Sequence, residues 1–215
     1  TALLFARIPE IDRETVSMLK QEPEVLADLG RKDYRMAQLA NYVQKNGYPT
    51  YQNTEVKYFP GGEDFFEELL VQLKNAKRFI FLVYFIIAEG LMWGEVLKLL
   101  KEKVEEGVEV RVLYDGTNEL FNLSYQYPNY LCGMGIRCKV FSPVYPIFST
   151  HYNNRDHRKI VVIDGKVAFT GGINLADEYI NVKERFGHWK DAGLMHTGEA
   201  VRTFTVMFLK MWDLT

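Results

Sequence analysis

Along this chain the spacing of apolar positions changes several times, and each change marks an element. "FIFLVYFIIA", from Phe79 to Ala88, is the longest unbroken apolar run. Ten residues are about half of what an α-helix needs to cross a bilayer, so the run predicts a buried strand over 78–87. Helical spacing flanks it. Phe65, Phe66, Leu69, Leu70 and Leu73 predict a helix over 63–76, and "WGEVLKLLKEKVEE" predicts another over 93–106, closed by Gly107. Further strands are expected at "VEVRVLY" (108–114), "GIRCKVFSP", "HRKIVVID", "KVAFTGG" and near 190–196. Helices are expected within 121–134, from about Asn174, and over 199–212. "QNTEVKYFPGGEDFF" adds a short strand and a glycine turn ahead of them.

Repeated β-α-β units imply an α/β fold: a mostly parallel mixed sheet flanked by helices on both faces. The first fifty or so residues read differently. "DYRMAQLANYVQKNG" (33–47) places Met36, Leu39, Ala40, Tyr42 and Val43 on one helical face, with Gly47 as the stop. The expected organisation is therefore an N-terminal helical arm over 1–54 and one α/β half-domain over 55–215.

Composition adds limits rather than content. The 215 residues suffice for one large α/β domain, and 26 basic against 28 acidic residues leave a net charge of −2. That balance speaks against a nucleic-acid binder, which usually carries a basic excess. Two cysteines, Cys132 and Cys138, are too few for a disulfide framework, and a reducing compartment is expected. No signal peptide is visible. The chain opens on Thr1 and stops just after an amphipathic helix, which leads us to expect a piece of a longer protein.

The chemistry gathers around "HRKIVVIDG" (157–165). Residues two apart on a strand point the same way, so His157 and Lys159 share a face at the strand's start. Asp164-Gly165 is a hairpin signal leading into "KVAFTGG". Then comes "GGIN", Gly171 to Asn174, where two glycines allow close backbone approach and the following helix turns its N–H groups toward an anion. An imidazole, an ammonium, bare backbone and an amide near one point make a site for a phosphoryl group. Taken singly, Asp164 is more readily a turn residue than a catalyst, and Gly171-Gly172 a plain bend. The specificity lies in the full spacing, His-x-Lys-x₄-Asp-x₆-Gly-Gly-x-Asn.

That spacing resembles the HKD motif of the phospholipase D superfamily. "NNRDHRKIVVIDGKVAFTGGINLADEYIN" followed by "RFGHWKD" is similar to the first catalytic half of a bacterial cardiolipin synthase. So are "NTEVKYFPGGEDFFEELL", "AKRFIFLVYFII" and "GVEVRVLYDG", and the resemblance covers about residues 35–215. It implies a phospholipase D-like half in which two HKD motifs from two halves build one active site. Here there is one motif. His157 would be the nucleophile that forms a phosphatidyl-histidine intermediate. A carboxylate would fix its tautomer, Asp191 by first choice and Glu178 by second. Lys159 and Asn174 would bind the non-bridging phosphate oxygens, with Gly171 and Gly172 beside the substrate. Asp164 stands in the catalytic set as the residue that holds the hairpin and pairs with a cation. Asp115, at the C-terminal end of its strand, reads equally as a headgroup contact and as a turn cap before Gly116.

The implied reaction joins two phosphatidylglycerols into cardiolipin with release of glycerol, without metal or other cofactor. The implied partners are phosphatidylglycerol, a membrane surface and a second HKD half or homodimer partner, with no nucleic acid. The implied location is the cytoplasmic side of the cell membrane. Two rivals remain: a homodimeric single-motif phosphodiesterase or nuclease, and an inactive lipid-binding half. A metal site built from His151, His157, His188 and His196 with Asp156 and Asp191 finds no HxxxH or HExxH-type spacing. The sequence departs from the family pattern at Val83, where cardiolipin synthases often carry glutamate, and at "AEGLMWGE", which replaces a more acidic loop. The aromatic loop 142–154 reads equally as a membrane-surface segment and as a loop packed on its own domain. The last helix reads as core or half-to-half interface.

Overall fold

The computed structural model describes residue 15 and residues 18–144, 155–185 and 187–215. Two helices come first, α1 (Pro23–Lys32) and α2 (Tyr34–Lys45). Asp33 caps α2, its side chain accepting from the N–H groups of Arg35 and Met36. The alternating part then runs β1 (Thr54–Phe59), α3 (Gly62–Asn75), β2 (Phe79–Tyr84), α4 (Leu91–Glu105) and β3 (Glu109–Asp115). It continues with two short helices, α5 (Asn118–Phe121) and α6 (Tyr127–Gly133), and with β4 (Arg137–Phe141). After β5 (Ile160–Ile163) and β6 (Val167–Gly171) come a 3-10 turn (Asp177–Ile180), β7 (Gly193–Gly198) and α7 (Val201–Leu214).

The seven strands form one mixed sheet in the order β1-β7-β6-β5-β2-β3-β4. β2, β3 and β4 pair in parallel, and the other four pairings are antiparallel. Five strands therefore run one way, with β5 and β7 against them. The mixed sheet is the expected one, but its pairings are more antiparallel than parallel. β5 and β6 form a hairpin, the long segment through the 3-10 turn brings β7 back against β6, and β2–β5 and β1–β7 pair strands far apart in sequence.

Both faces of the sheet are covered, which is why its central strands are apolar throughout. On one face Ile80, Leu82 and Tyr84 of β2 and Val161 of β5 pack with Phe65, Leu69 and Leu73 of α3 and Trp93 and Val96 of α4. Phe65 stands edge-on between Phe59 and Phe169, with centroids 5.7 and 5.3 Å away. On the other face Phe81, Val83, Ile160 and Val162 meet α7, where Phe208 stacks on Phe81 at 4.7 Å. The last helix is thus core on its inner face.

Three local expectations are corrected. The strand holding His157 begins only at Ile160. Asp156 Oδ1 accepts the Arg158 N–H, and Lys159 Nζ folds back onto the His157 carbonyl at 2.7 Å, so local bonds compete with the ladder. No long helix starts at Asn174. Leu175 instead bridges to Ile87 in extended form, its N–H going to the Ile86 carbonyl and its own carbonyl accepting from Ala88. In α2 the expected apolar face is turned out, with Met36, Leu39 and Tyr42 exposed, while Ala37 and Ala40 are buried. The small side chains are the ones that let α2 approach its neighbour. Most of the aromatic loop, residues 145–154, lies outside the described residues.

Candidate active site

One end of the sheet gathers the chemistry. β2, β3 and β6 finish there and β5 and β7 begin there, as the pairs Val83 with Ile160, Asp115 with Phe141 and Gly171 with Gly193 fix. His157 and Lys159 lie on the lead into β5, and Asp191 lies on the lead into β7. This is the strand-end crevice where α/β sheets place ligands.

His157 is exposed, whereas Lys159 is 3% exposed. Lys159 Nζ stands 3.1 Å from His157 Nδ1 and 3.2 Å from Nε2. Burial, the larger effect, pulls the Lys159 ammonium below its ordinary pKa, and the carboxylates of Asp191 and Asp156 pull it back. An ammonium set against an open imidazole suits an anionic ligand arriving from solvent.

Asp191 accepts the N–H of Ala192 at 2.8 Å and lies over Gly172. A side chain on Gly172 would overlap that carboxylate, and one on Gly171, whose φ is +150°, would run into the Ala192 carbonyl. The two glycines thus make room for the chain's own β7 lead rather than for a ligand. Among the described residues no hydrogen bond joins Asp191 to His157, so the expected carboxylate–imidazole pair is not formed. Glu178 is farther from that role, since its Oε1 accepts from Arg185 at 3.4 Å.

Asn174 is 2% exposed and largely spoken for. Its Oδ1 accepts the Ile86 N–H at 2.9 Å and its Nδ2 donates to the Tyr179 hydroxyl at 2.8 Å. It ties the end of β2 to the segment after β6 instead of facing the site with both polar atoms. Asp164 is removed from the site altogether. It lies five positions beyond Lys159, roughly 15 Å along a strand. Its carboxylate accepts the N–H groups of Lys77, Arg78 and Phe79 at 2.8, 2.7 and 2.9 Å. Its main partners are backbone amides in place of the expected cation, although Lys166 adds an attraction.

Asp115 is both capped and paired. Oδ1 accepts from the Thr117 N–H and hydroxyl, at 2.9 and 2.7 Å, and from Arg155 at 3.2 Å. The turn-cap reading describes these bonds. Among the described residues, Oδ2 of Asp115 and Oδ2 of Asp156 are buried without a hydrogen bond, in the segments bordering this edge. Of the other histidines, His188 is exposed and His196 rests on Phe204 at 4.9 Å, its pKa lowered by burial. His151 lies outside the described residues. Among the described residues no three His, Cys, Asp or Glu side chains converge on a metal position.

Sequence reasoning missed two anchors, one buried and one half-buried. Asn118, 1% exposed, donates to the carbonyls of Phe85 and Asp115 and accepts the Ile87 N–H. Asp177 caps α4 by accepting the N–H groups of Leu91 and Met92. Asn118 directly follows Asp115-Gly116-Thr117, and that turn signal was the one clue.

Residues 69–212 match the family described as cardiolipin synthase, PLD-like domain. The chain belongs to that family. A protein of Streptococcus mutans is 58% identical over 195 residues, covering 90% of this chain and 42% of its own length. A cardiolipin synthase of Alkalihalophilus pseudofirmus is 39% identical over 190 residues, covering 88% of this chain and 37% of its own. The chain thus spans about two fifths of the length of these relatives. Nuc from Salmonella typhimurium, a phospholipase D family member of known structure, superposes with a TM-score of 0.56 at 17% identity. That likeness covers 75% of this chain and 94% of Nuc, and it supports the fold.

Proposed function

We propose that this cardiolipin synthase-like domain is one catalytic half of a phosphatidyltransferase that makes cardiolipin from two phosphatidylglycerols. The observation that carries the reading is the exposed His157 imidazole set against the buried Lys159 ammonium at the strand-end crevice. A ring nitrogen of His157 attacks the donor phosphorus. The N–P bond forms as the P–O bond to glycerol breaks, and glycerol leaves with a proton from the histidine of a second motif. The hydroxyl of the second phosphatidylglycerol then attacks the phosphatidyl-histidine, gives its proton to that same second histidine, and frees His157.

Lys159 offsets charge on the phosphate oxygens, and Asp191 comes within hydrogen-bond reach of His157 when substrate draws the ammonium off the ring. The second motif belongs to another half, in the same polypeptide or in a second copy. The crevice works at the cytoplasmic surface of the cell membrane. Among the described residues no helix is long and apolar enough to cross a membrane.

The test is glycerol release and cardiolipin formation from phosphatidylglycerol in mixed micelles, beside His157→Asn. Turnover lost in the variant supports the reading and means that two copies complete a site. If the folded chain is silent, adding the second half should restore turnover, and failure there defeats the lipid assignment. Turnover that survives His157→Asn defeats the mechanism. Cleavage of DNA in place of lipid turnover would favour the phosphodiesterase reading.

A further inference from the structure

β2 ends at Tyr84, and the next residue, Phe85, turns its half-buried ring toward the crevice. The ring centroid lies 4.6 Å from that of the His157 imidazole, with the planes inclined at 51°. Lys159 Nζ stands over the same ring, 5.3 Å from its centroid. The backbone that carries it is fixed by the two buried asparagines. Asn118 donates to the Phe85 carbonyl at 2.7 Å and accepts the Ile87 N–H at 2.9 Å. Asn174 accepts the intervening Ile86 N–H at 2.9 Å. Three successive residues are thus pinned, and the ring is a preset wall.

The face of an aromatic ring is the negative part of its quadrupole and attracts cations. Lys159 is one. His157 becomes another when one ring nitrogen carries phosphorus and the other a proton. We infer that Phe85 is a positioning residue for phosphoryl transfer, setting the spacing of His157 and Lys159 and favouring the cationic imidazole of the intermediate. The inference rests on His157 being the nucleophile. Leucine fills much of the same space without a quadrupole, so bulk and ring face are separable.

The experiment compares Phe85→Leu and Phe85→Trp with wild type in the full chain. Lys159 is titrated through its 13Cε resonance. The groups facing it are the His157 ring and carbonyl on its own segment, Asp156, and Asp191 from the lead into β7, all unchanged by the substitutions. F85L is expected to titrate lower at Lys159 than wild type, and F85W to return toward it. Glycerol release in F85L should fall about two- to tenfold in kcat, with KM nearly unchanged and the loss greatest at alkaline pH. F85L that is as stable as wild type and titrates identically would overturn the inference. Equal losses in F85L and F85W would do the same, marking Phe85 as packing alone. If wild type releases no glycerol even with a second half supplied, the functional reading fails, while the Lys159 titration still decides whether the ring acts on the ammonium.

Discussion

Replacing Asp164 separates a structural aspartate from a catalytic one. The carboxylate gathers three backbone N–H groups at the start of β2, at 2.7 to 2.9 Å. Hydrogen bonds to a charged group contribute about 1.5–3 kcal/mol each when water cannot replace them. Lys77 and Arg78 are exposed and will be rehydrated, so only the bond from half-buried Phe79 counts near full value. Asp164 also holds φ at +55°, a conformation that costs alanine about 1 kcal/mol and asparagine less. Asp164→Ala should therefore lose about 2–4 kcal/mol and Asp164→Asn about 1–2 kcal/mol, read as shifts of the urea midpoint by circular dichroism.

The dependence on pH has a definite sign. Burial, the largest single influence, raises the Asp164 carboxyl, but the amides of Phe79, Lys77 and Arg78 together with Lys166 outweigh it and leave it below its ordinary value. A depressed folded pKa means stabilisation that is complete above the unfolded carboxylate value of about 3.9 and lost as pH falls through the folded one. The stability gap between wild type and Asp164→Asn should accordingly shrink below about pH 4. Folded Asp164→Asn should still bind inorganic phosphate at the His157 edge, seen as the same Lys159 resonance shifts. An unchanged urea midpoint would refute the structural argument, and a stable variant unable to bind phosphate would return Asp164 to the chemistry.

Lys159→Met removes a buried ammonium, so thermal denaturation should show a fold at least as stable as wild type, while phosphate affinity drops about tenfold or more. Gly172→Ala places a methyl where the Asp191 carboxylate lies, so Lys159 should titrate lower than in wild type and glycerol release should fall. Asp177→Ala strips the cap from α4 and should cost about 1 kcal/mol in urea unfolding, with the His157 and Lys159 resonances unmoved.

What the sequence showed and what it hid divide along a physical line. β2, α3, α4 and β3 were legible because alternation and helical spacing record burial directly, and burial on both faces makes the central strands continuous apolar runs. His157 and Lys159 were legible through motif spacing. The anchoring bonds of Asn174, Asp164 and Asp177 were not foreseen for a common reason. Each accepts, with its side-chain oxygen, backbone N–H groups 85 to 88 residues away, at the two ends of β2 and the start of α4. Such bonds leave no period and no local signature, and in a lone sequence a distant anchor looks like a turn former, a ligand or nothing.

The consequence reaches the chemistry. Of the residues that look catalytic by motif, Asp164 and Asn174 act chiefly on the frame: one holds the start of β2, the other its end. Asn118 shares the second task. What that frame delivers is Phe85, which no motif flagged, against His157 and Lys159. A phosphate-binding edge needs its cations fixed before the ligand arrives, because ordering them afterwards would cost affinity. Asn118, Asn174 and Asp164 fix the backbone around this edge, and Asp164 and Asn174 tie the motif itself to that preorganisation.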